Sequence, residues 1–319
     1  MNYIDIFNGD ADGIIALLQL RLAEPKDSQL VTGVKRDIQL MNKLEFSAEC
    51  EVTVLDISME KNIDGLTKAL NAGAKVSYFD HHRPGTIPEH ASLNATIDMD
   101  PNVCTALLVD KHLNGQFHLW AITAAYGDNL LAKAEQLADE AKLNLSQRAQ
   151  LKEFGTLINY NGYGATLDDL HIKPVELFQS LLAYDNPFSA IAADNSPFAV
   201  LQNAYKADMA LAEASDCAAS TDVAEVYLLP NQQWSRRVGG VFGNQLANNN
   251  PNKAHAVVSD NGDDTYLISV RAPLNNKTGA DEVCSEFVTG GGRKAAAGIN
   301  RLPHDQLDAF IRRLNGFYA

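Results

Sequence analysis

Cysteine is scarce in this 319-residue chain, and its four cysteines lie far apart without a CxxC pair. This spacing favours neither a structural zinc site nor a disulfide framework, so a reducing, cytoplasmic setting is expected. Long apolar runs are also missing. The first, Gly13 to Leu20, is too short to span a bilayer and ends at Arg21, so we expect neither export nor membrane insertion.

Positive charge is in short supply too, with 26 Lys and Arg against 40 Asp and Glu and a formal net charge of −14. Binding to phosphates without sequence preference requires a surplus of basic residues. We therefore expect neither long nucleic acid nor a membrane surface as a primary partner. Apolar residues make up 46% of the chain, which excludes a disordered protein and, at this length, favours two folded domains.

Short β-rich runs alternate with helical stretches in the first half of the chain. The predicted strands there are 2–7, 30–34, 51–55 and 74–79, and the predicted helices are 13–23, 40–46 and 60–71. This alternation predicts βαβ units and a parallel, Rossmann-like sheet in an α/β domain. From Cys104 to about Leu182 the apolar residues recur at helical spacing, which predicts a helical completion of the same domain.

A domain boundary is predicted between Tyr184 and Asp222, where an Ala-rich helix over 198–220 would connect the two parts. We assign residues 1–185 to the first domain, 186–222 to a helical linker and 223–319 to a smaller α/β domain. The strands predicted in the last part are 224–229, 254–259 and 266–271, and the helices are 240–248, 279–287, 295–299 and 304–314.

Three predicted strands of the first domain end in acidic residues. These residues are Asp10 and Asp12 after the first strand, Asp56 after 51–55, and Asp80, followed by His81 and His82, after 74–79. The carboxyl ends of parallel strands face one crevice, so these side chains should converge. Two divalent cations would neutralise such a cluster, and a metal pair is the usual device for attacking a phosphodiester. Taken singly, each Asp is also typical of a turn or helix cap, and Asp12 before Gly13 could cap the first helix.

Four short motifs, DADG at 10–13, LD at 55–56, DHH at 80–82 and GD at 127–128, resemble in order those of the DHH phosphoesterase superfamily. GGGRKAAAG at 290–298 is similar to the GGGHxxAAG signature of the DHH-associated C-terminal domain. The resemblance covers both ends of the chain. It implies a DHH catalytic domain followed by a DHH-associated substrate-binding domain.

The resemblance implies a metal role for five residues. Asp10 would bind one metal and Asp12 the other, Asp56 would bridge them, and His81 and Asp128 would complete the second site. Manganese is favoured because the ligands are mainly carboxylates with no thiolate, and magnesium or cobalt could substitute. A water bridging the two metals would be the nucleophile.

Catalytic roles are implied for the DHH motif itself. Asp80 would orient His81, as a carboxylate often holds a ligating histidine, and His82 would lie against the scissile phosphate or the leaving oxygen. One departure is the lack of the histidine that members commonly have shortly before the first Asp. Ile6, Phe7 and Asn8 occupy that stretch, and Asn8 could offer an amide oxygen, which is a weaker ligand.

The triple glycine that contains Gly291 and Gly292 is predicted to lead into a helix start, where backbone N–H groups can approach an anion. Arg293, which replaces the histidine of the GGGH signature, and Lys294 would add charge. The alternative is a tight connection that packs a small-residue helix closely on a sheet. Arg271 resembles the arginine that family members place in the substrate cleft.

The expected function is hydrolysis of a short phosphodiester, held between the two domains, to mononucleotides. A 5′-phosphorylated dinucleotide such as pGpG, the product of cyclic di-GMP opening, and very short RNA are the substrates that the resemblance implies. Two alternatives remain open at this point: a phosphatase of a 3′,5′-bisphosphorylated nucleotide, and a nucleotide-binding sensor whose catalysis has decayed. The sequence does not define the oligomeric state, for which a dimer is one option.

Overall fold

A computed structural model of the protein describes residues 2–319. The chain divides into two compact units, the first ending at Ala204 and the second beginning at Tyr205. The division falls inside a long helix and within the stretch 186–222 that the sequence suggests as a linker. Across the described residues, no helix combines the length and apolar character needed to cross a membrane.

Five parallel strands form the sheet of the first unit, in the order β2-β1-β3-β4-β5. The strands are β1 (Asn2–Phe7), β2 (Ser28–Val31), β3 (Cys50–Leu55), β4 (Lys75–Asp80) and β5 (Leu93–Ile97). The central strands β1, β3 and β4 are largely buried, as expected for apolar strands covered on both faces. The predicted α/β class with a parallel sheet is confirmed.

Helices account for most of the rest of the first unit. They are α1 (Ala11–Ala23), α2 (Ile63–Asn71), α3 (Thr105–His112), α4 (His118–Gly127), α5 (Leu131–Glu140), α6 (Leu145–Asn161), α7 (Pro174–Leu181) and α8 (Pro187–Ala192). The helix predicted over 40–46 is only a short 3₁₀ turn, Met41–Lys43. The backbone N–H of Met41, at the start of this turn, donates to the side chain of Asn62.

The second unit contains a mixed six-stranded sheet in the order β10-β11-β9-β8-β7-β6. Helix α9 (Pro197–Glu213) runs into this unit. Its strands are β6 (Cys217–Ser220), β7 (Ala224–Leu229), β8 (Ala254–Asp260), β9 (Thr265–Arg271), β10 (Gly290–Arg293) and β11 (Ala296–Pro303), and its helices are α10 (Gln233–Asn249), α11 (Ala280–Ser285) and α12 (Leu307–Tyr318). One sheet face packs with α11 and α12 into an apolar core that includes Ile268, Val270, Ile299 and Phe310.

Two sequence predictions in this part are wrong. The helix predicted over 198–220 ends at Glu213, and Cys217–Ser220 forms strand β6. The helix predicted over 295–299 is strand β11, paired antiparallel with β10 and β9. Alanine favours helices, but here the small residues allow the strands to approach closely: a Cβ at Gly292 would lie 2.5 Å from the Cα of Ala297.

Candidate metal centre at the carboxyl edge of the parallel sheet

Asp10 caps the helix that follows β1. Its Oδ1 accepts hydrogen bonds from the backbone N–H groups of Asp12 (3.0 Å) and Gly13 (3.1 Å). A Cβ at position 13 would lie 2.4 Å from the carbonyl oxygen of Asn8, so glycine is needed for α1 to begin this close to the strand. The helix-cap role considered for Asp12 therefore belongs to Asp10.

The carboxylate of Asp12 is buried and ties α1 to α3. Its two oxygens accept the backbone N–H groups of Thr105 and Ala106, each at 2.7 Å. Both N–H groups lie in the first turn of α3, where the helix dipole favours a negative charge. Each carboxylate oxygen has a second lone pair, so Asp12 keeps the capacity to bind a cation.

Asp56 has a left-handed backbone conformation, with φ 59°, directly after β3. This conformation is strained in a non-glycine residue and is typical of functional sites. The side chain is buried. Burial, followed by the negative charges of Asp12 and Asp10, raises the pKa of Asp56 well above its ordinary value. The raised pKa means that the other side chains of the site do not compensate the negative charge that an ionised Asp56 would add.

His81 presents one ring nitrogen to these carboxylates. Its Nε2 lies 3.4 Å from Asp56 Oδ1 and 3.8 Å from Asp12 Oδ2. Its Nδ1 lies 2.9 Å from the carbonyl oxygen of Val103. Because a carbonyl oxygen can only accept, Nδ1 carries the proton in this contact, and Nε2 keeps the lone pair that a metal requires.

Asp80 holds His82 rather than His81, so the predicted orienting contact is wrong. Its Oδ1 lies 2.7 Å from His82 Nδ1. The Nδ1 of His81 instead contacts the carbonyl oxygen of Val103. Burial lowers the pKa of His82, but the hydrogen bond and charge of Asp80 outweigh it, and the net pKa is raised. The His82 side chain is 46% exposed, so the imidazole that Asp80 holds is accessible to solvent.

Asp128 follows α4, which crosses α1 and α6 at very short range. A Cβ on Gly127 would lie 2.6 Å from the Cβ of Ala11, and one on Gly155 would lie 2.1 Å from the carbonyl oxygen of Thr123. Two glycines thus allow three helices to meet beside the sheet edge. This close packing brings Asp128 to the aspartates that follow β1.

Two groups of side chains could each hold a metal ion. Ligand atoms of Asp12, His81 and Asp128 lie within 4.8 Å of one another, and so do those of Asp56, His81 and His82. Burial, followed by the charges of Asp12 and its neighbours, raises the pKa of Asp128 to about 6. Such a shift is expected where several carboxylates lie close together.

Lys35 also reaches this centre, and the sequence reasoning missed it. Its Nζ lies 2.5 Å from Asp10 Oδ2, 2.8 Å from Asn159 Oδ1 and 5.5 Å from the centroid of the Tyr163 ring. Asn8 donates its side-chain N–H to the carbonyl oxygen of Lys35. A signal was available, because Lys35 follows β2 and the carboxyl end of that parallel strand lies at the same edge.

The donor set fits a divalent metal. The carboxyl groups at this edge belong to Asp10, Asp12, Asp56, Asp80 and Asp128. Oxygen ligands with imidazole suit manganese or magnesium better than a thiolate-binding metal. Two further acceptors, Asp80 Oδ2 and Asn8 Oδ1, are buried and have no hydrogen-bond partner among residues 2–319. Unsatisfied buried acceptors beside crowded carboxylates are what a cation site requires.

In the second unit, strand register aligns two of the predicted substrate residues. Ala296 on β11 pairs with Arg293 on one side and with Arg271 on the other. Residues paired across a sheet share a face, so the two arginines lie on one face, two strand spacings or ~10 Å apart. On this face Arg293 is exposed and Arg271 is partly exposed, whereas His255, which pairs with Arg271 on its other side, is buried. Arg271 is fixed by Asn244, whose Oδ1 accepts its Nε–H at 2.6 Å.

The triple glycine is a strand and not a helix N-terminus, so the predicted helix-dipole site is wrong. Gly291 pairs with Gly298 and has open space where a Cβ would point, whereas Gly292 packs against Ala297. Lys294 lies exposed in the turn after β10. Because β10 is an edge strand, one side of its backbone remains unpaired within the sheet and can still contact an anion.

Comparison with solved structures identifies the class of fold: the chain has the fold of DHH-domain proteins. Matches cover 99% of this chain. One is a pGpG-specific phosphodiesterase, PggH, from Vibrio cholerae, with a TM-score of 0.57, 15% identity and 99% of that chain covered. Another is exonuclease RecJ bound to manganese, with a TM-score of 0.60, 17% identity and 90% covered. A DHH-domain member of a family of ribosomal proteins has a TM-score of 0.61, 10% identity and 86% covered.

At these identities the likeness concerns the fold. It confirms the resemblance to DHH proteins that the sequence motifs indicated. No protein-family model matches the chain. No curated protein matches it either.

Proposed function

We propose that the protein is a metal-dependent phosphodiesterase that hydrolyses short linear nucleotides to mononucleotides. The observation that carries the proposal is the convergence of Asp12, His81 and Asp128 with Asp56 at one edge of the sheet. The likeness in fold to a manganese-bound nuclease and to a pGpG phosphodiesterase supports it. The proposed substrates are 5′-phosphorylated dinucleotides such as pGpG, and very short RNA.

The residues that would hold a divalent ion are Asp12, Asp56, His81 and Asp128. Bound there, the ion would supply Lewis acidity and lower the pKa of water towards neutrality. Manganese suits these ligands best. The contact between His81 Nδ1 and Val103 keeps Nε2 directed at the carboxylates, so the ligand does not have to reorganise when the ion arrives.

His82 is proposed as the general acid. Asp80 holds its Nδ1, which leaves Nε2–H to donate to the oxygen that leaves when the phosphodiester breaks. The hydrogen bond and charge of Asp80 raise the pKa of His82, which favours the protonated imidazole that a general acid requires. Its exposure allows the leaving nucleotide to reach it, whereas the less exposed His81 remains with the carboxylates.

Arg271, Arg293 and the exposed backbone of β10 are proposed to bind the phosphate or base of the nucleotide. Arg293 suits both targets, because a planar guanidinium can donate two parallel hydrogen bonds to a phosphate or to a guanine edge. Arg271, whose guanidinium donates to Asn244, Ser269 and Gly240, would add positive charge at a fixed position. The net charge of −14 opposes binding of a long polyanion, so this local positive charge favours short substrates.

The test is incubation with Mn²⁺ and a panel of pNpN dinucleotides, longer RNA, single-stranded DNA and a 3′,5′-bisphosphorylated nucleotide, followed by separation of the products. The proposal predicts two mononucleotides from each cleaved dinucleotide and little product from long strands. Inorganic phosphate from the bisphosphorylated nucleotide alone would identify a phosphatase instead. Binding without any product would identify a sensor.

A further inference from the structure

Lys35 is built into the metal centre as a fixed cation. Its ammonium group lies between Asp10 Oδ2 at 2.5 Å and Asn159 Oδ1 at 2.8 Å, over the ring of Tyr163. Its backbone N–H donates to the carbonyl oxygen of Gly162 at 2.9 Å. The side chain is 28% exposed, so this is a held lysine and not a mobile surface charge.

Both carboxylate oxygens of Asp10 are engaged by protein groups, and one of these groups is a cation. Its Oδ1 accepts two backbone N–H groups at the start of α1, and its Oδ2 takes the ammonium of Lys35. Neither group of residues able to hold a metal includes Asp10. The residue expected to bind a first metal is thus paired with an organic cation.

The two metal-holding groups also compete for one atom. Both include His81, and its Nδ1 is taken by the carbonyl oxygen of Val103. Only Nε2 remains, and one ring nitrogen binds one ion. The two groups therefore cannot both be filled through His81.

We propose that Lys35 takes the place of one metal, so that the centre binds a single divalent ion, held by Asp12, Asp56, His81 and Asp128. This inference deepens the proposed function and rests on it. The ammonium neutralises Asp10, the residue that would otherwise be available to a second ion.

The test is Mn²⁺ stoichiometry, measured by equilibrium dialysis with elemental analysis, together with the EPR spectrum of the bound ion. The wild-type chain should bind one Mn²⁺ with a mononuclear spectrum. Lys35→Met releases Asp10 and should raise the number of Mn²⁺ ions bound per chain to two, with spin coupling between the ions. Lys35→Arg and the exposed control Lys43→Met should remain at one.

Asp10→Asn gives a second readout that does not depend on changing Lys35. Asparagine keeps the helix cap, so the fold should persist. The single ion should bind this variant as it binds the wild type, whereas Asp12→Asn should lose it.

Two coupled ions in the wild type, a Lys35→Met ratio of one in a folded protein, or loss of Mn²⁺ in Asp10→Asn would each overturn the inference. Wild-type protein that binds no Mn²⁺ at all would instead refute the proposed function.

Discussion

Asp56 is a single residue that supplies negative charge to this centre and lowers the stability of the protein. Its left-handed backbone and its buried carboxyl group are both unfavourable, and burial beside Asp12 and Asp10 raises its pKa. Natural proteins retain such features where function requires them. A substitution that keeps the shape of this side chain but removes its charge should therefore make the protein more stable and less active.

Asp56→Asn is expected to stabilise the metal-free protein by about 1 kcal/mol, the usual scale of relieving one unfavourable feature. Asparagine tolerates the left-handed region and can still accept the hydroxyl of Thr105 through its Oδ1. Mn²⁺ affinity should fall sharply. Urea denaturation with EDTA and Mn²⁺ titration measure the two effects. Asp264→Asn, an exposed aspartate with φ 58°, is the matched control and should change neither.

Asp128 predicts how the stability of the metal-free protein depends on pH. Its pKa is about 6 in the folded state against 3.8 ordinarily, so between these values the folded state binds more protons than the unfolded state. The contribution of this carboxyl group to the free energy of unfolding must then fall as pH rises from about 4 to about 6, by at most about 3 kcal/mol.

The measurement is urea denaturation in EDTA at several pH values, for the wild type and Asp128→Asn. The variant should gain stability relative to the wild type as pH rises through this window. A difference between the two proteins that stays constant from pH 4 to pH 7 would show that Asp128 is not perturbed.

At the scale of elements, the centre depends on how closely α1, α4 and α6 cross. Gly155→Ala would place a methyl group 2.1 Å from the carbonyl oxygen of Thr123, so α4 and α6 must separate. We expect a loss of stability of about 1–3 kcal/mol and weaker Mn²⁺ binding, because Asp128 directly follows α4. Gly239→Ala in α10 makes the same change with no atom nearby and should stabilise slightly. Equal stabilities of the two variants would contradict the close crossing.

The β10–β11 hairpin carries the proposed substrate arginine. Arg293→Ala should lower kcat/KM for dinucleotides by about tenfold to a hundredfold, the scale of one charged hydrogen-bonding group. Mn²⁺ affinity should not change. Arg301→Ala on β11 removes an exposed ion pair with Asp263 and serves as the control for charge. An unchanged kcat/KM in Arg293→Ala would remove this hairpin from substrate binding.

Elements differ in how far the sequence predicts them, and the reason is physical. Strands β1, β3 and β4 are apolar runs buried by their own helices, so their local pattern and their environment agree. Strand β5 was not predicted, because Leu93–Ile97 is short, only partly buried and contains Asn94. Strand β11 was predicted as a helix because pairing with β9 and β10, which is not local, overrides the propensity of its alanines.

At the scale of the whole molecule, strand ends that are distant in sequence converge because the sheet is parallel. This rule located Asp10, Asp12, Asp56 and the DHH motif from the sequence alone. The rule applies equally to Lys35, which follows β2, but no sequence motif draws attention to a lysine whose partner lies 25 residues earlier. Asp80 contacts His82, and the carbonyl oxygen of Val103 contacts His81. A sequence pattern does not specify such a backbone contact.

The acidity of the whole chain has two consequences. Its net charge of −14 opposes long polyanions. Part of that charge is gathered at one sheet edge, where cations would neutralise it and where a short phosphodiester could then be attacked. The same property thus disfavours one class of nucleic acid and permits another.

The central claim is that this edge is the centre of a metal-dependent phosphodiesterase. The most direct measurement is the initial rate at which GMP forms from pGpG, for the wild type with Mn²⁺, for the wild type with EDTA, and for His81→Ala with Mn²⁺. The exposed His90→Ala is the control. We expect two GMP per pGpG from the wild type and the control with Mn²⁺, and no GMP from the other two. GMP formed by His81→Ala at the wild-type rate, or by the wild type in EDTA, would contradict the claim.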